Sequence, residues 1–499
     1  MIESYFLSML GSGKYVQNLV FFRKLRDGYI VTTEFGSWIF LSGDDFKSFR
    51  RGKVEPGSRL FSELESKGMI ATESNTDSIK NSYVKKFNAL IRGTSLHIIV
   101  PTLRCNQKCV YCHSSVASYS QSDEYDMDEE TYKKTVDFIF QSPSNTITIE
   151  FQGGDSMLNK GLFKNIVEYA KKKNNLHQKH LYFSLVSNST LYDRDIIEFI
   201  DKNKISMCSS LDGPKELHNK NRCFECGFGE DAFPGPVEDN RRLLISDFSD
   251  NHKAVTDTFE ILDKEYGKRI NFMMVTTRAS LSEYKEIIDE YVRLGQKGIQ
   301  LKYIHKLGFA ENSWKTVGYS IDEFIDFWKK SMDYILELNK KGILLSERYV
   351  VILLKKIIRS EDPGFLDLRN PCGMIIGQLA YNYNGDIYSC DEGRNFEEFR
   401  LGNVKTDRYK DVLESDKSLN LINSSMLENY ACTLCAYRPY CGTCPVINYA
   451  ESGNIIPKLP LNSKCRFHMA MFDYVFDKLI FDEAARKIFF DWLSKLDEK

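Results

Sequence analysis

The sequence predicts an α/β protein built on a partial, TIM-like (β/α)6 barrel, with a small winged-helix-like module before it and a cysteine-rich domain after it. Three observations carry this prediction. From about residue 96 to 305, apolar strand-like runs alternate with amphipathic helical stretches, the pattern of a parallel sheet with covering helices. Short β-like runs separated by turn residues, followed by two helical patterns, fill the region before residue 85. Of 13 cysteines, none precedes residue 105, three crowd into 105–112 and seven into 372–465.

At 499 residues the chain has room for several domains. The pattern divides it into a winged-helix-like module at 1–88, the barrel at 89–310, a helical connection at 311–369, a cysteine-rich domain at 370–470 and a C-terminal helix at 471–499. In the first module, strands are expected at 18–22, 29–33 and 37–41, then helices at 44–51 and 58–67, the second closed by Gly68 as a left-handed cap. Barrel strands are expected at 96–100, 146–151, 180–186, 205–211, 270–275 and 298–304, with helices such as 129–140 and 282–294 between them. A doubly wound sheet is the competing topology. Helices are expected at 320–360 and again at 470–496.

Lys and Arg total 67 against 69 Asp and Glu, a net charge of -2, so no overall field points to nucleic acid or an anionic membrane. The chain has no signal-like opening and no apolar run of about 18 residues. A cytoplasmic protein with neither a nucleic-acid nor a membrane partner is the expectation. A reducing compartment argues against disulfides, and the clustering of the cysteines points to metal.

Cys105, Cys109 and Cys112 stand in the order C-x3-C-x2-C in the loop leaving the first barrel strand. Three thiolates on one loop can hold three irons of a [4Fe–4S] cluster and leave the fourth open to a ligand. A zinc site needs a fourth ligand, and His113, adjacent to Cys112, fits poorly at another corner of the same tetrahedron. Barrel sites are assembled just beyond the C-terminal ends of strands, and those positions hold Gly153-Gly154-Asp155, Ser187-Asn188, Asp212-Gly213 and Thr276-Thr277. Gly153 and Gly154 leave room for close backbone approach, Asn188 can bond hydroxyls, and Arg222 can meet a carboxylate. Asp212, His218 and Arg222 read equally well as a structural ion-pair group. Cys208, Cys223 and Cys226 read as plain thiols.

The triad, with Tyr111 before its last cysteine, resembles the radical S-adenosylmethionine (SAM) superfamily. The resemblance implies that the open iron chelates the amino and carboxylate groups of SAM and that Tyr111 lies near the adenine. Gly153-Gly154-Asp155 is similar to the family's Gly-Gly-Glu motif, with Asp155 one methylene shorter. Asn188 would then bond the ribose hydroxyls and Arg222 meet the SAM carboxylate, with Ser187 and Asp212 also in the cofactor-binding site.

Downstream stand Cys372, twelve residues to Gly385, four to Cys390, then Cys432-x2-Cys435-x5-Cys441-x2-Cys444 and Cys465. Zinc ribbons place their two C-x2-C pairs about 15–20 residues apart, whereas five separate these. The order resembles the SPASM domain, which carries one or two auxiliary iron–sulfur clusters. It implies a first cluster on Cys372, Cys390 and Cys444 and a second on Cys432, Cys435, Cys441 and Cys465. The family's x3 before Cys444 is x2 here, and the first cluster is left with an open iron or a non-cysteine ligand. Asp391 beside Cys390 is the candidate catalytic base, as the matching Asp is in sulfatase-maturing relatives.

Longer strings, among them Leu211-Asp-Gly-Pro, Leu217-His-Asn-Lys-Asn-Arg222 and Pro439-Tyr-Cys-Gly442, resemble the HxsB-type maturase of the His-Xaa-Ser system. That implies a ribosomally made peptide or protein substrate with His-Xaa-Ser repeats, a second radical SAM companion and an external electron donor. It also implies reductive cleavage of SAM to a 5′-deoxyadenosyl radical, removal of a side-chain hydrogen, and oxidation or a crosslink as the outcome. A free strand edge in the first module suits an extended leader peptide. Oxidation of a small metabolite by the same cluster domains, and a non-catalytic zinc protein, are the rival readings.

Overall fold

In a computed structural model describing residues 15–121, 123–225, 244 and 249–495, one nine-stranded sheet ties the barrel to the cysteine-rich segment. Ahead of it, strands β1 (Val20–Leu25), β2 (Gly28–Thr33) and β3 (Trp38–Ser42) form an antiparallel sheet in chain order, followed by α1 (Gly43–Arg50) and α2 (Arg59–Ser66). Ser42 and Ser58 cap the helices by accepting from the Asp45 and Phe61 amides, and Gly68 takes φ +67° just past α2. Strand β1 runs three residues beyond the expected end. Arg23 and Lys24 hid it, since charged residues break the apolar pattern even though Leu25 pairs with Gly28 through a tight turn.

The barrel strands β4 (Leu96–Ile99), β5 (Thr146–Phe151), β6 (His180–Val186), β7 (Ser206–Ser210), β8 (Asn271–Val275) and β9 (Leu301–Lys302) are parallel neighbours in chain order. Their order never reverses, so the sheet is of the barrel kind and not doubly wound. The sixth run divides in two: Gly298–Ile299 pairs with Ser346–Glu347, and only β9 pairs with β8.

Helices α3 (Glu129–Ile139), α4 (Lys160–His177), α5 (Arg194–Lys202), α6 (Asn251–Tyr266) and α7 (Tyr284–Arg293) cover the outer face. The first four are capped by Asp128, Asn159, Asp193 and Asp250, each accepting a backbone amide in the first turn. Alternation along β5 decides which face is which. Ile147, Ile149 and Phe151 are fully buried toward the helices, with the Phe151 ring 4.7 Å from that of Phe163. Thr148 and Glu150 point inward and are only half-buried. Ser184, Cys208 and Met273 repeat this on β6, β7 and β8. The inward-facing side chains are therefore less buried than the helix-facing ones.

After the connecting helices α8 (Ile321–Lys340) and α9 (Arg348–Ile358), strand β10 (Gln378–Tyr381) pairs in parallel with β4, and β11 (Asp386–Tyr388) and β12 (Arg400–Asn403) extend the sheet antiparallel. The cysteine-rich segment thus begins as an edge of the barrel sheet, which periodicity alone does not reveal. The closing helical stretch is two helices, α10 (Ser463–Phe481) and α11 (Glu483–Lys495). They divide at Asp482, whose carboxylate accepts from the Ala485 amide. Among the described residues no helix is long and apolar enough to cross a membrane.

Candidate active site

The loop leaving β4 carries Cys105, Cys109 and Cys112 and is locked from two sides. Gly154 lies so close to it that a Cβ would stand 2.0 Å from the Arg104 carbonyl oxygen, and one on Gly153 would stand 2.4 Å from Val100. The Gly154 and Asp155 amides donate to Thr102 and Arg104 at 3.0 and 2.8 Å. What the two glycines do in this fold is dock the cysteine loop. Opposite them, Gly308 at φ +56° would drive a Cβ to 2.5 Å from the Cys112 carbonyl, and the Phe309 amide donates to that carbonyl at 2.8 Å. Sequence reasoning missed the role of Gly308, because only its contact with Cys112 distinguishes it from a turn glycine.

Asp155 is fully buried and spends its oxygens inside the protein. It accepts from the Ser187 hydroxyl at 2.9 Å and from the Asn188 and Met157 amides at 2.9 Å each. It therefore ties the end of β5 to the end of β6. Asn188 donates from its side chain to Asn106 at 2.7 Å, holding the cysteine loop to β6. Asn106 and its partner Thr190, 2.9 Å apart, carry no motif and were invisible beforehand.

Tyr111 is buried and donates to Asp212 at 2.5 Å, while Arg222 lies over its ring at 5.2 Å. Asp212 also accepts from Asn221 and from the Val275 amide, each at 3.2 Å. Arg222 arrives on a short strand, Arg222–Phe224, that pairs antiparallel with Gln107–Cys109. Its Nε stands 3.2 Å from Asp212 without hydrogen-bond alignment, and one terminal nitrogen is 3.9 Å from the Cys109 sulfur. A buried guanidinium with an unspent donor beside the triad suits a bound carboxylate. Ser209 and Thr276, at or near strand ends, are buried hydroxyls with no hydrogen-bond partner among the described residues.

His113 and Asp391 meet across the two regions, Nε2 to Oδ2 at 2.8 Å. Arg394 donates to the other Asp391 oxygen at 2.7 Å and to Ser114 at 3.2 Å. Burial opposes the Asp391 charge, but Arg394 and then His113 outweigh it and hold the carboxyl well below its ordinary range. Cys208 lines the barrel interior, Cys223 is exposed, and Cys226 lies outside the described residues.

The C-terminal thiols fall into two groups. Cys372, Cys390 and Cys444 share one buried apolar cluster. Cys432, Cys435, Cys441 and Cys465 line one cavity together with Lys464 and His468, and His468 Nδ1 stands 3.2 Å from the Cys441 sulfur. The x2 spacing sends Cys441 and Cys444 to different groups.

Burial pushes the triad thiols up, Cys109 to about 12, and does the same at Cys432 and Cys465, to about 12 and about 11. Thiolates persist in such surroundings when a metal neutralises them. Sulfurs sharing one zinc stand about 3.8 Å apart, the edge of a tetrahedron with Zn–S of about 2.3 Å. Among the described residues no three His, Cys, Asp or Glu side chains converge on a single ion in that way. Three thiols on one loop and two further thiol groups are the donor chemistry that iron–sulfur clusters take, each sulfur on its own iron.

Comparison with known proteins agrees with this donor set. The radical SAM superfamily model matches residues 99–230, and the SPASM iron–sulfur cluster-binding domain matches 372–445. An uncharacterized protein of Methanocaldococcus jannaschii is 31% identical over 332 residues, 66% of this chain and 95% of its own length. A cysteine-type anaerobic sulfatase-maturating enzyme of Clostridium perfringens is 27% identical over 386 residues, 75% of this chain and 94% of its own. The solved structure described as native anSMEcpe with bound AdoMet and Cp18Cys peptide has a TM-score of 0.60 at 23% identity, covering 79% of this chain and 99% of that one. At that identity the structural likeness speaks for the fold.

Proposed function

Because this chain belongs to the radical SAM superfamily and carries a SPASM iron–sulfur domain, we propose that it is a maturase that oxidises or crosslinks a side chain of a ribosomally made peptide or protein. The observation that carries the proposal is the His113–Asp391 contact, which places a carboxylate of the C-terminal segment against the cysteine loop at the mouth of the barrel. The similarity to a sulfatase-maturating enzyme, and to a fold solved with a peptide bound, supports a polypeptide substrate. The strings resembling the HxsB-type maturase support one with His-Xaa-Ser repeats, a second radical SAM companion and an external electron donor.

Cys105, Cys109 and Cys112 would hold the SAM-binding [4Fe–4S] cluster, and the two C-terminal groups the auxiliary clusters. When bound, cluster and SAM supply one-electron cleavage and a radical able to take hydrogen from carbon. The chain's own residues do the rest. Arg222 binds the SAM carboxylate, Tyr111 and Asn188 border the nucleoside, and the Asp155 and Asp212 networks keep the strand ends rigid. The half-buried inner face of β5 to β8 accommodates the substrate side chain. Asp391, ionised throughout the neutral range, accepts the substrate proton with His113 and Arg394 holding it in place. On the first module, Leu19 and Phe22 are exposed at the outer strand β1, an edge suited to an added peptide strand.

The test is anaerobic protein reconstituted with iron and sulfide, given SAM, dithionite and a neighbouring-gene peptide with His-Xaa-Ser repeats. Release of 5′-deoxyadenosine together with a mass change in the peptide is the expected result. 5′-Deoxyadenosine with an unchanged peptide, and a small metabolite oxidised in its place, would refute the polypeptide substrate.

A further inference from the structure

The thiols of Cys432, Cys435, Cys441 and Cys465 line one cavity, and the imidazole of His468 is set into its wall. We infer that His468, acting through Cys441, raises the reduction potential of the cluster this group holds by donating a hydrogen bond from Nδ1 to the Cys441 sulfur. The inference rests on the assignment of an auxiliary cluster to these four cysteines and adds the side chain that tunes it.

Local sequence prepares the contact. Cys465 and His468 stand three residues apart near the start of α10, a spacing that puts both on one helix face. Asn462 caps that helix by accepting from the Cys465 amide at 3.0 Å, which fixes where the face begins. The imidazole is 2% exposed and is flanked by the Phe467 and Phe472 rings at 6.0 and 5.8 Å. Phe472 in turn packs at 4.9 Å on Tyr437, two residues beyond Cys435, whose hydroxyl donates to Asp473 at 2.6 Å. Held in this way, His468 Nδ1 stands 3.2 Å from the Cys441 sulfur.

Which group donates follows from the chemistry of the loaded site. A thiol can give its proton to the ring, but a sulfur bound to iron has none and only accepts, so the proton must then sit on Nδ1. Such a bond draws charge from the sulfur, favours the more negative reduced cluster and raises its potential. Burial strengthens the effect, because little water competes for the sulfur. Four cysteines already give one sulfur to each iron of a cubane, so the ring is a positioning residue and not a ligand. Lys464, on the same cavity wall, has its ammonium directed to Asp367 at 3.5 Å. In the proposed reaction the substrate loses a hydrogen atom to the radical and a proton to Asp391, which leaves one electron. A cluster of raised potential takes that electron up more readily, so His468 favours oxidation over return of the hydrogen atom.

The experiment uses the full chain with Cys105, Cys109 and Cys112 all changed to Ala and the C-terminal groups reconstituted anaerobically with iron and sulfide. Potentiometric titration followed by EPR reads the reduction potentials, and the signal lost with Cys432→Ala and Cys435→Ala together belongs to this group. His468→Phe should lower that potential, with iron content and the other cluster's potential unchanged. His468→Asn, whose side-chain N–H can reach the same sulfur, should bring the value back toward that of the chain with His468. With His468 in place and the histidines labelled with 15N, pulsed EPR of the reduced cluster should show one weakly coupled nitrogen, a reading that stands even where a variant loses iron. An unshifted potential in His468→Phe, an equal shift in both variants, or a nitrogen coupling that is absent or as strong as that of an iron ligand overturns the inference. Iron content separates the two levels of failure. If Cys432→Ala with Cys435→Ala removes no iron, the cluster assignment is wrong and the inference falls with it; if it removes about half the iron of two cubanes while His468→Phe leaves the potential in place, only the role of His468 is wrong.

Discussion

The loop carrying Cys105, Cys109 and Cys112 leaves a parallel strand and is locked by elements of the same barrel: Gly153 and Gly154 after β5, Asn188 after β6, and Gly308 after β9. The loop carrying Cys432, Cys435 and Cys441 is a chain of short turns with little regular structure. It is held by the module at the other end of the sequence. The Thr32 hydroxyl donates to the Ala436 carbonyl at 2.7 Å, the Tyr440 hydroxyl to the Gly36 carbonyl at 2.8 Å, Arg438 pairs with Glu34, and Lys86 donates to the Pro439 carbonyl. Arg23 and Arg26 add pairs to Asp473 and Asp477 on α10, the helix that carries Cys465. Where local structure does not fix the loop that carries the thiols, contacts from a remote module do.

Breaking the barrel side has the largest expected effect. Cys105→Ala should lower 5′-deoxyadenosine formation to background while the C-terminal groups keep their iron, checked by chromatography and iron assay. Next comes the remote clamp. Glu34→Leu removes the carboxylate paired with the buried Arg438 guanidinium, which lies over the Phe21 ring at 4.5 Å and is then left with the more distant Glu428 at 4.0 Å. A cost of about 3–5 kcal/mol is expected from breaking a buried pair, read by denaturant unfolding. Iron should fall at the Cys432 group with the triad iron unchanged.

Gly154→Ala should cost about 3 kcal/mol or more, because its Cβ meets backbone rather than a movable side chain. Here the triad should lose iron and the C-terminal groups should not, the mirror image of Glu34→Leu. Asp391→Asn joins the two regions. It should lower peptide modification about 10²-fold, with SAM cleavage retained, since it removes the proton acceptor and leaves the triad intact. Because the wild-type carboxyl sits well below its ordinary range, its ionisation should not limit the pH–rate profile on the acid side down to about pH 4.

The smallest effect belongs to Glu347, which accepts from the Val350 amide at 2.8 Å and the Leu301 amide at 3.2 Å where the sixth strand closes the sheet. Burial raises its pKa from 4.5 to about 7. The folded chain then holds a proton that the unfolded chain releases between those values, so the stability this group contributes falls as pH rises through that window. Glu347→Gln should flatten the slope by roughly 1–3 kcal/mol, measured as the unfolding free energy of the cluster-free protein from pH 4.5 to 7.

The barrel strands were legible because burial on the helix-facing side leaves a plain apolar signal in Ile147, Ile149 and Phe151. The triad was legible because its three thiols stand within eight residues of one another in sequence. The join of β10 to β4 was not, since pairing in parallel with a strand some 280 residues earlier leaves no local mark. Nor was the break at Asp482, where a single capping carboxylate interrupts an otherwise helical run.

The sequence by itself determined the element order, the positions of the thiols and the polar residues placed at strand ends, because periodicity and ligand spacing are local properties of the chain. Only the tertiary structure decided that Asp391 faces His113, that Arg222 lies against Tyr111 and Cys109, and that Glu34 holds Arg438. Those contacts join segments separated by more than a hundred residues, and the free energy that selects them comes from burying polar and charged groups together, which no short stretch of sequence expresses.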